Sequence, residues 1–212
     1  DVEFAHSLTQ SSKLCARHGI DLCDVYWPGE ALVQHARNML VKMALECQAE
    51  SMLCIDADQS WEPQAALALI QHDYDVVGCP VIKRSDTSES YNVRNNSPHF
   101  AVDVNTGLWI AEGVGTGFLK LSRKAMQSLW DNCEPYSKGG QETRMMFDVG
   151  VIDGQLVGED YACCMKLRTL GFNILVDPNF TIQHKGVKTY KGDFKNWIER
   201  LKAADAQRKG EK

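Results

Sequence analysis

A chain of 212 residues with 44% hydrophobic and 24% charged residues suits a single domain of ordinary size able to bury a core. Its formal net charge of −5 argues against a general nucleic-acid binder, which needs a basic stripe, but leaves small anionic substrates open, because a bound divalent cation reverses the local sign. No apolar run approaches the roughly 18–20 residues of a membrane helix, and no secretory leader is visible. The eight cysteines have no CxxC spacing, so they read as reduced, mostly core thiols of an intracellular protein, not a disulfide frame or a zinc site.

The opening VEFAHSLTQSSKLCARHG is helical in pattern and stops at Gly19. An α/β domain ordinarily begins on a strand, so a trimmed or missing first strand is expected. IDLCDVYW reads as a strand ending at Pro28. The next segment places Leu32, Ala36, Met39, Leu40, Met43 and Cys47 on one helical stripe. MLCI is a short buried strand, after which Ser60 is the expected cap of a helix with Pro63 in its first turn. DVVGCPVI is a further strand. From Lys83 to Ile110 the chain is polar and irregular, with room for short antiparallel strands.

GVGTGFLKLS is a glycine-rich turn into a strand, followed by a helix capped by Ser122. PYSKGGQETRMMFDVGVIDGQ reads as a long loop, a common location for binding residues. GEDYACCMKLRTLG is a helix with Cys163, Cys164, Leu167 and Leu170 inward and Gly171 as its stop. NILVDP and FTIQH are short strands, and the tail after Gly192 is amphipathic, then charged and frayed. Strands alternating with helices predict an α/β fold with a mostly parallel central sheet covered by helices, and a small antiparallel portion.

Chemistry concentrates in a few places. Asp56 and Asp58 follow the strand MLCI, at its carboxyl end, where ligands of open α/β sheets collect. A second DxD triplet, Asp73 and Asp75, precedes its strand and lies at the wrong end. Carboxylates at alternate positions suit a hard cation, yet the same pair would equally well bond loop amides ahead of the next helix. Glu159 and Asp160 open a helix, where acids complement the helix dipole or, alternatively, act as a general base. His184 stands apart from any paired-histidine motif, and Arg37 at the border of its stripe either pairs with a phosphate or snorkels. The GVGTGF stretch is not a dinucleotide fingerprint, since its spacing is wrong and a strand follows where a helix is needed.

Taken in order, ARN, MLCIDADQSWEP, DVVGCPVIK, GVGTGFLKLSR, FDVG…GEDYACCMKLRTLGFNILVDP and IQHKG, from about Ala36 to Gly186, resemble glycosyltransferases of the GT-A fold. The likeness is strongest to the family-2-like branch, including chlorella-virus members that act on capsid glycans. The resemblance implies a Rossmann-like nucleotide-sugar half over about 1–110, an acceptor and catalytic half over about 111–192, and a helical tail over 193–212. It implies Asp58 and His184 as ligands of Mn²⁺ or Mg²⁺, with Asp56 assisting or lying near the donor ribose; an imidazole among oxygens favours Mn²⁺.

Further implications are Asp160 and Glu159 as the catalytic pair, Gly115, Thr116 and Gly117 as a loop against the sugars, and Arg37 and Lys83 at the donor's charged part. The implied partners are a nucleotide-sugar donor, UDP-hexose foremost, and a glycan acceptor. The implied setting is the cytoplasm, that of the host for a viral member. The chain departs from the family in lacking the first strand, whose end helps hold the nucleotide base. Two rival readings stand beside this one: a sugar nucleotidyltransferase, which needs a glycine-rich basic signature near its start, and a domain that binds glycan or nucleotide without turnover.

Overall fold

The computed structural model describes residues 1–210. In chain order its elements are α1 (Val2–Arg17), α2 (Val33–Glu46), β1 (Ser51–Ile55), β2 (Gln59–Ser60), α3 (Pro63–Gln71), β3 (Val76–Gly78), β4 (Val93–Arg94), β5 (Ala101–Val102), β6 (Trp109–Ala111) and β7 (Gly113–Val114). They continue with β8 (Phe118–Ser122), α4 (Arg123–Asn132), β9 (Pro135–Lys138), β10 (Gln141–Arg144), β11 (Gly150–Ile152), β12 (Gln155–Val157), α5 (Glu159–Thr169), β13 (Ile174–Val176), β14 (Gln183–Lys185), β15 (Thr189–Tyr190) and α6 (Phe194–Gly210).

A six-stranded sheet in the order β1-β8-β3-β13-β6-β5 forms the centre, with four smaller sheets around it. The expected mostly parallel, GT-A-type sheet is corrected here. Among the described residues, every strand pair of this sheet is antiparallel except β3 with β13, where Val77 faces Leu175. The cause is β8, which inserts between β1 and β3 and runs against both. As a result β1, β3 and β13 still point the same way, and their carboxyl ends share one edge with the amino end of β8. Asp56 and Asp58 therefore follow β1 at the edge where the carboxyl ends of β1, β3 and β13 gather, although the sheet is mostly antiparallel.

Local chemistry explains most elements. Asp1 caps α1, accepting from the Glu3 amide at 2.8 Å. Helices α1, α2 and α5 each close with paired turn bonds: Ile20 N to Cys15 O at 3.0 Å, Ala49 N to Ala44 O at 3.0 Å and Phe172 N to Leu167 O at 3.0 Å. The left-handed residue each closure requires is Gly19, Gln48 and Gly171 respectively, with φ of 73°, 58° and 89°. Ser122 caps α4 as expected, accepting from Ala125 N at 3.1 Å.

Other expectations fail for identifiable reasons. IDLCDVYW forms no strand, since nothing pairs with it. The strand after Ala49 is half-buried, because β1 is the sheet's edge. Helix α3 begins at Glu62 without a side-chain cap, because Ser60 is drawn into β2, which pairs with β14. The supposed long loop is two hairpins, β9–β10 and β11–β12. Their two-residue turns are Gly139-Gly140, with φ of 59° and 80°, and Asp153-Gly154, with φ of 51° and 74°, the type I′ chemistry that matches strand twist.

The core lies in two clusters. One contains Leu119, Leu121, Met126, Phe147, Cys163, Leu167 and Phe194, and the other gathers Trp61, Leu69, Val77 and Phe118 under α1 and α3. The tail is a helix docked through buried Phe194 and Ile198. All eight cysteines are free; Cys23 and Cys47 are exposed and Cys54 half-buried, while the other five are core residues. Among the described residues no helix is long and apolar enough to cross a membrane.

Candidate functional site

Helix α2 does not bury the stripe its apolar residues predict. Of that stripe only Met39 is buried, while His35, Arg37, Asn38, Val41 and Ala44 turn inward. Three of these inward residues are polar, which marks the helix as facing something other than a plain core.

Arg37 is the hub. It is 8% exposed, and its guanidinium contacts Glu159, reaches Asp56 Oδ1 at 3.0 Å and lies 3.8 Å from Asp160 Oδ1. Arg37, expected at the donor's charged part, bridges three carboxylates here. Burial alone would lower its pKa, but Asp56, Asp160 and Glu159 together hold it above its ordinary value. Asp160 also accepts from the Thr116 amide at 3.3 Å. Burial pushes Asp160 above the usual carboxylate range, Arg37 opposes this and Glu159 reinforces it.

Asp58 and His184 form a second, adjacent group. His184 Nδ1 lies 3.0 Å from the Ile82 carbonyl, which orients the ring with Nε2 3.5 Å from Asp58 Oδ2; with a proton Nε2 donates to that carboxylate, and without it the lone pair is open to a cation placed between the two. The His184 contact holds Asp58 below the ordinary carboxylate value, against the opposing effect of burial. Arg84 pairs with the same Asp58 oxygen, while Asp58 Oδ1 is buried without a partner. Register explains the meeting, because Gln59 faces His184 across β2 and β14. Trp61 anchors this turn from behind, donating from Nε1 to Ser11 Oγ of α1 at 2.9 Å.

The three residues implied as metal-binding do not converge: among the described residues no group of three His, Cys, Asp or Glu side chains forms a ready cation site. Asp56 is drawn to Arg37, which leaves Asp58 and His184. That pair fits a cation completed by diphosphate and water oxygens. Two ligands at right angles with bonds of about 2.1 Å lie about 3.0 Å apart, and 3.5 Å is a small side-chain adjustment away. The orphaned Asp58 Oδ1 supplies a further free donor atom.

The glycine-rich turn has an internal reason for its glycines. A Cβ at Gly115 would meet Asn92, and one at Gly117 would collide with the Gln59 amide and approach Asp56 Oδ2 to 3.2 Å. Thr116 is fully buried with its hydroxyl unpartnered, as is Gln59 Oε1. Lys83 is exposed and stands outside both groups; its neighbour Arg84 reaches Asp58 instead, since adjacent residues of an extended chain point to opposite sides. Arg84, Gln59 and Asn92 were all missed in the sequence, and the Lys-Arg pair after VI was the one signal for them.

A separate cleft of about 290 Å³ is lined by Leu32, Met145 and Val149 together with Gln34, His35, Tyr136, Lys138 and Asp148. His35 Nδ1 lies 2.7 Å from the Tyr136 hydroxyl, which also accepts from Asn38 at 3.1 Å. Asn38 in turn clamps Phe147 through both its amide and carbonyl, at 2.7 and 3.0 Å. Asp73 and Asp75 play no part here: Asp75 bonds Ser122 and Lys124 at the opposite end of the sheet.

No protein-family model matches the chain, and no curated protein does. Among solved structures, A197 from STIV is similar in fold, with a TM-score of 0.50 and 16% identity over 84% of this chain and 78% of that one. At that identity the likeness concerns the fold alone.

Proposed function

We propose that the chain is a divalent-metal-dependent glycosyltransferase that moves a hexose-type sugar from a nucleotide diphosphate, UDP foremost, to a glycan hydroxyl. The observation that carries this reading is the meeting of Asp56, Glu159 and Asp160 on buried Arg37 beside the Asp58–His184 pair. A base and a cation-binding pair side by side at one sheet edge are what transfer from a diphosphate requires.

In this mechanism Asp160 accepts the proton of the acceptor hydroxyl. The acceptor oxygen bonds the anomeric carbon, and the bond from that carbon to the diphosphate breaks with its electron pair leaving on the nucleotide. The raised pKa of Asp160 brings its basicity closer to this task. Arg37 and the Thr116 amide hold its two oxygens in place. A bound Mn²⁺ or Mg²⁺ would supply positive charge against the departing diphosphate.

The test is incubation with Mn²⁺ and a panel of nucleotide sugars. Transfer, or slow hydrolysis with release of the nucleoside diphosphate, is expected for one donor, and Asp58→Ala should abolish its binding. No turnover of any donor, together with unchanged binding by Asp58→Ala, overturns the reading. Pyrophosphate release from a nucleoside triphosphate would favour a nucleotidyltransferase instead.

A further inference from the structure

Asp58 Oδ2 is the oxygen that faces His184 Nε2, and the Arg84 guanidinium already sits against it. That is where a cation shared by Asp58 and His184 would be bound, so guanidinium and metal compete for one oxygen. The route of Arg84 to this point is cleared by Gly186, whose Cβ, if present, would press on Arg84 Cδ at 3.2 Å and on Tyr190 at 3.3 Å. Gly186 has no left-handed φ to require glycine; its smallness serves the Arg84 stem. Arg84 roots in a polar turn in which Ser85 Oγ accepts from Thr87 and Ser88 amides, so its side chain is free to turn without disturbing the core. The pair is 42% and 44% exposed, an ion pair weak enough to exchange.

We propose that Arg84 stands in for the divalent cation at Asp58 and, when the cation arrives with the donor, turns to the donor's diphosphate. The exchange conserves local charge: without it, Asp58 is left unneutralised before the metal binds, and the diphosphate is left with less positive charge after. A guanidinium is suited to both partners, since its fork matches carboxylate and phosphate alike. The second half of this proposal rests on the transferase reading above; the first half, competition at Asp58, does not.

The experiment titrates the full chain with Mn²⁺ alone, followed by electron paramagnetic resonance, and then with UDP at saturating Mn²⁺, followed by calorimetry. Arg84→Ala should bind Mn²⁺ about three- to fivefold more tightly than the wild type and bind UDP at least about tenfold more weakly. Gly186→Ala, which displaces the Arg84 stem without removing charge, should tighten Mn²⁺ binding in the same direction. Unchanged or weaker Mn²⁺ binding by both variants, or no Mn²⁺ binding by any of the three proteins, overturns the competition. Tighter Mn²⁺ binding with undiminished UDP affinity overturns the turn to the diphosphate. Tighter Mn²⁺ binding by the variants, with no nucleoside diphosphate bound by the wild type, supports the competition and counts against the transferase reading.

Discussion

At the scale of the residue, Arg37 carries a charge into a place where three carboxylates meet, and each of them depends on it. Removing it by Arg37→Ala leaves Glu159 and Asp160 partly buried without a counter-charge. Breaking a fully buried pair costs about 3–5 kcal/mol; because Asp56 is 42% exposed, about 2–3 kcal/mol is expected here, read from urea unfolding. Asp160→Asn should lower the transfer rate by at least about 100-fold while UDP affinity, measured by calorimetry, stays within about twofold. The pH profile of the wild type should carry the mark of the same group. A base must be deprotonated, so activity falls as pH drops through the Asp160 pKa, and that fall begins at higher pH than an ordinary aspartate with pKa 3.8 would give. A profile flat down to the normal aspartate range would remove Asp160 from the role.

Asp177 is the contrasting carboxylate, buried at 2% exposure and without a catalytic part. Burial works to raise its pKa, but His72 at 3.2 Å and the Asn179 amide at 2.9 Å outweigh that and hold it below 3.8. A lowered folded pKa means stability that is present above 3.8 and lost as pH falls through the folded value. Asp177→Asn should therefore cost about 1–3 kcal/mol at pH 7, and the gap to the wild type should shrink when unfolding is repeated in acid.

At the scale of the element, the closures of α1, α2 and α5 are built on one plan, yet α2 uses Gln48 where the others use glycine. Gln48 is exposed, with φ of 58°, so its side chain contributes little to offset the left-handed backbone. Gln48→Gly should stabilise the chain by about 1 kcal/mol, visible as a higher urea midpoint at unchanged slope. The hairpins show the opposite case, where sequence chemistry and structure agree. Gly-Gly and Asp-Gly between alternating strands were legible turn signals, obscured in the sequence by reading polar composition as loop. Helix α2 was misread for a different reason: a hydrophobic stripe presumes an apolar neighbour, whereas its neighbours are Glu159, Asp160 and Tyr136.

At the scale of the whole molecule, the tail helix is tied to the sheet by aromatic contacts. Phe194 lies 5.0 Å from Tyr91, 5.5 Å from Trp109 and 6.0 Å from Phe100 by ring centroids. Trp109 belongs to β6 of the central sheet, whereas Tyr91 and Phe100 lie in the irregular stretch between β3 and β6, so the tail ties that stretch to the sheet. Phe194→Ala should cost about 3–5 kcal/mol and lower the melting temperature by roughly 10 °C, far beyond what loss of a frayed tail would do. The start of the chain is similarly engaged, since α1 supports the turn holding Asp58 through Ser7, Ser11 and Trp61.

The amino-acid sequence by itself determined the helices that carry caps or glycine stops and the strand that delivers Asp56 and Asp58, through local signals: periodicity, capping and position relative to a strand end. Glu159, Asp160 and His184 stood out through the family resemblance, since local pattern alone equally allowed a structural part for each. Only the tertiary structure decided which carboxylate meets which cation. Insertion of β8 beside β1 made the sheet largely antiparallel, and burial of Arg37 drew Asp56 away from Asp58. Such pairings join residues as far apart as Arg37 and Glu159, and no local pattern encodes them, because they are set by the packing of whole elements against one another.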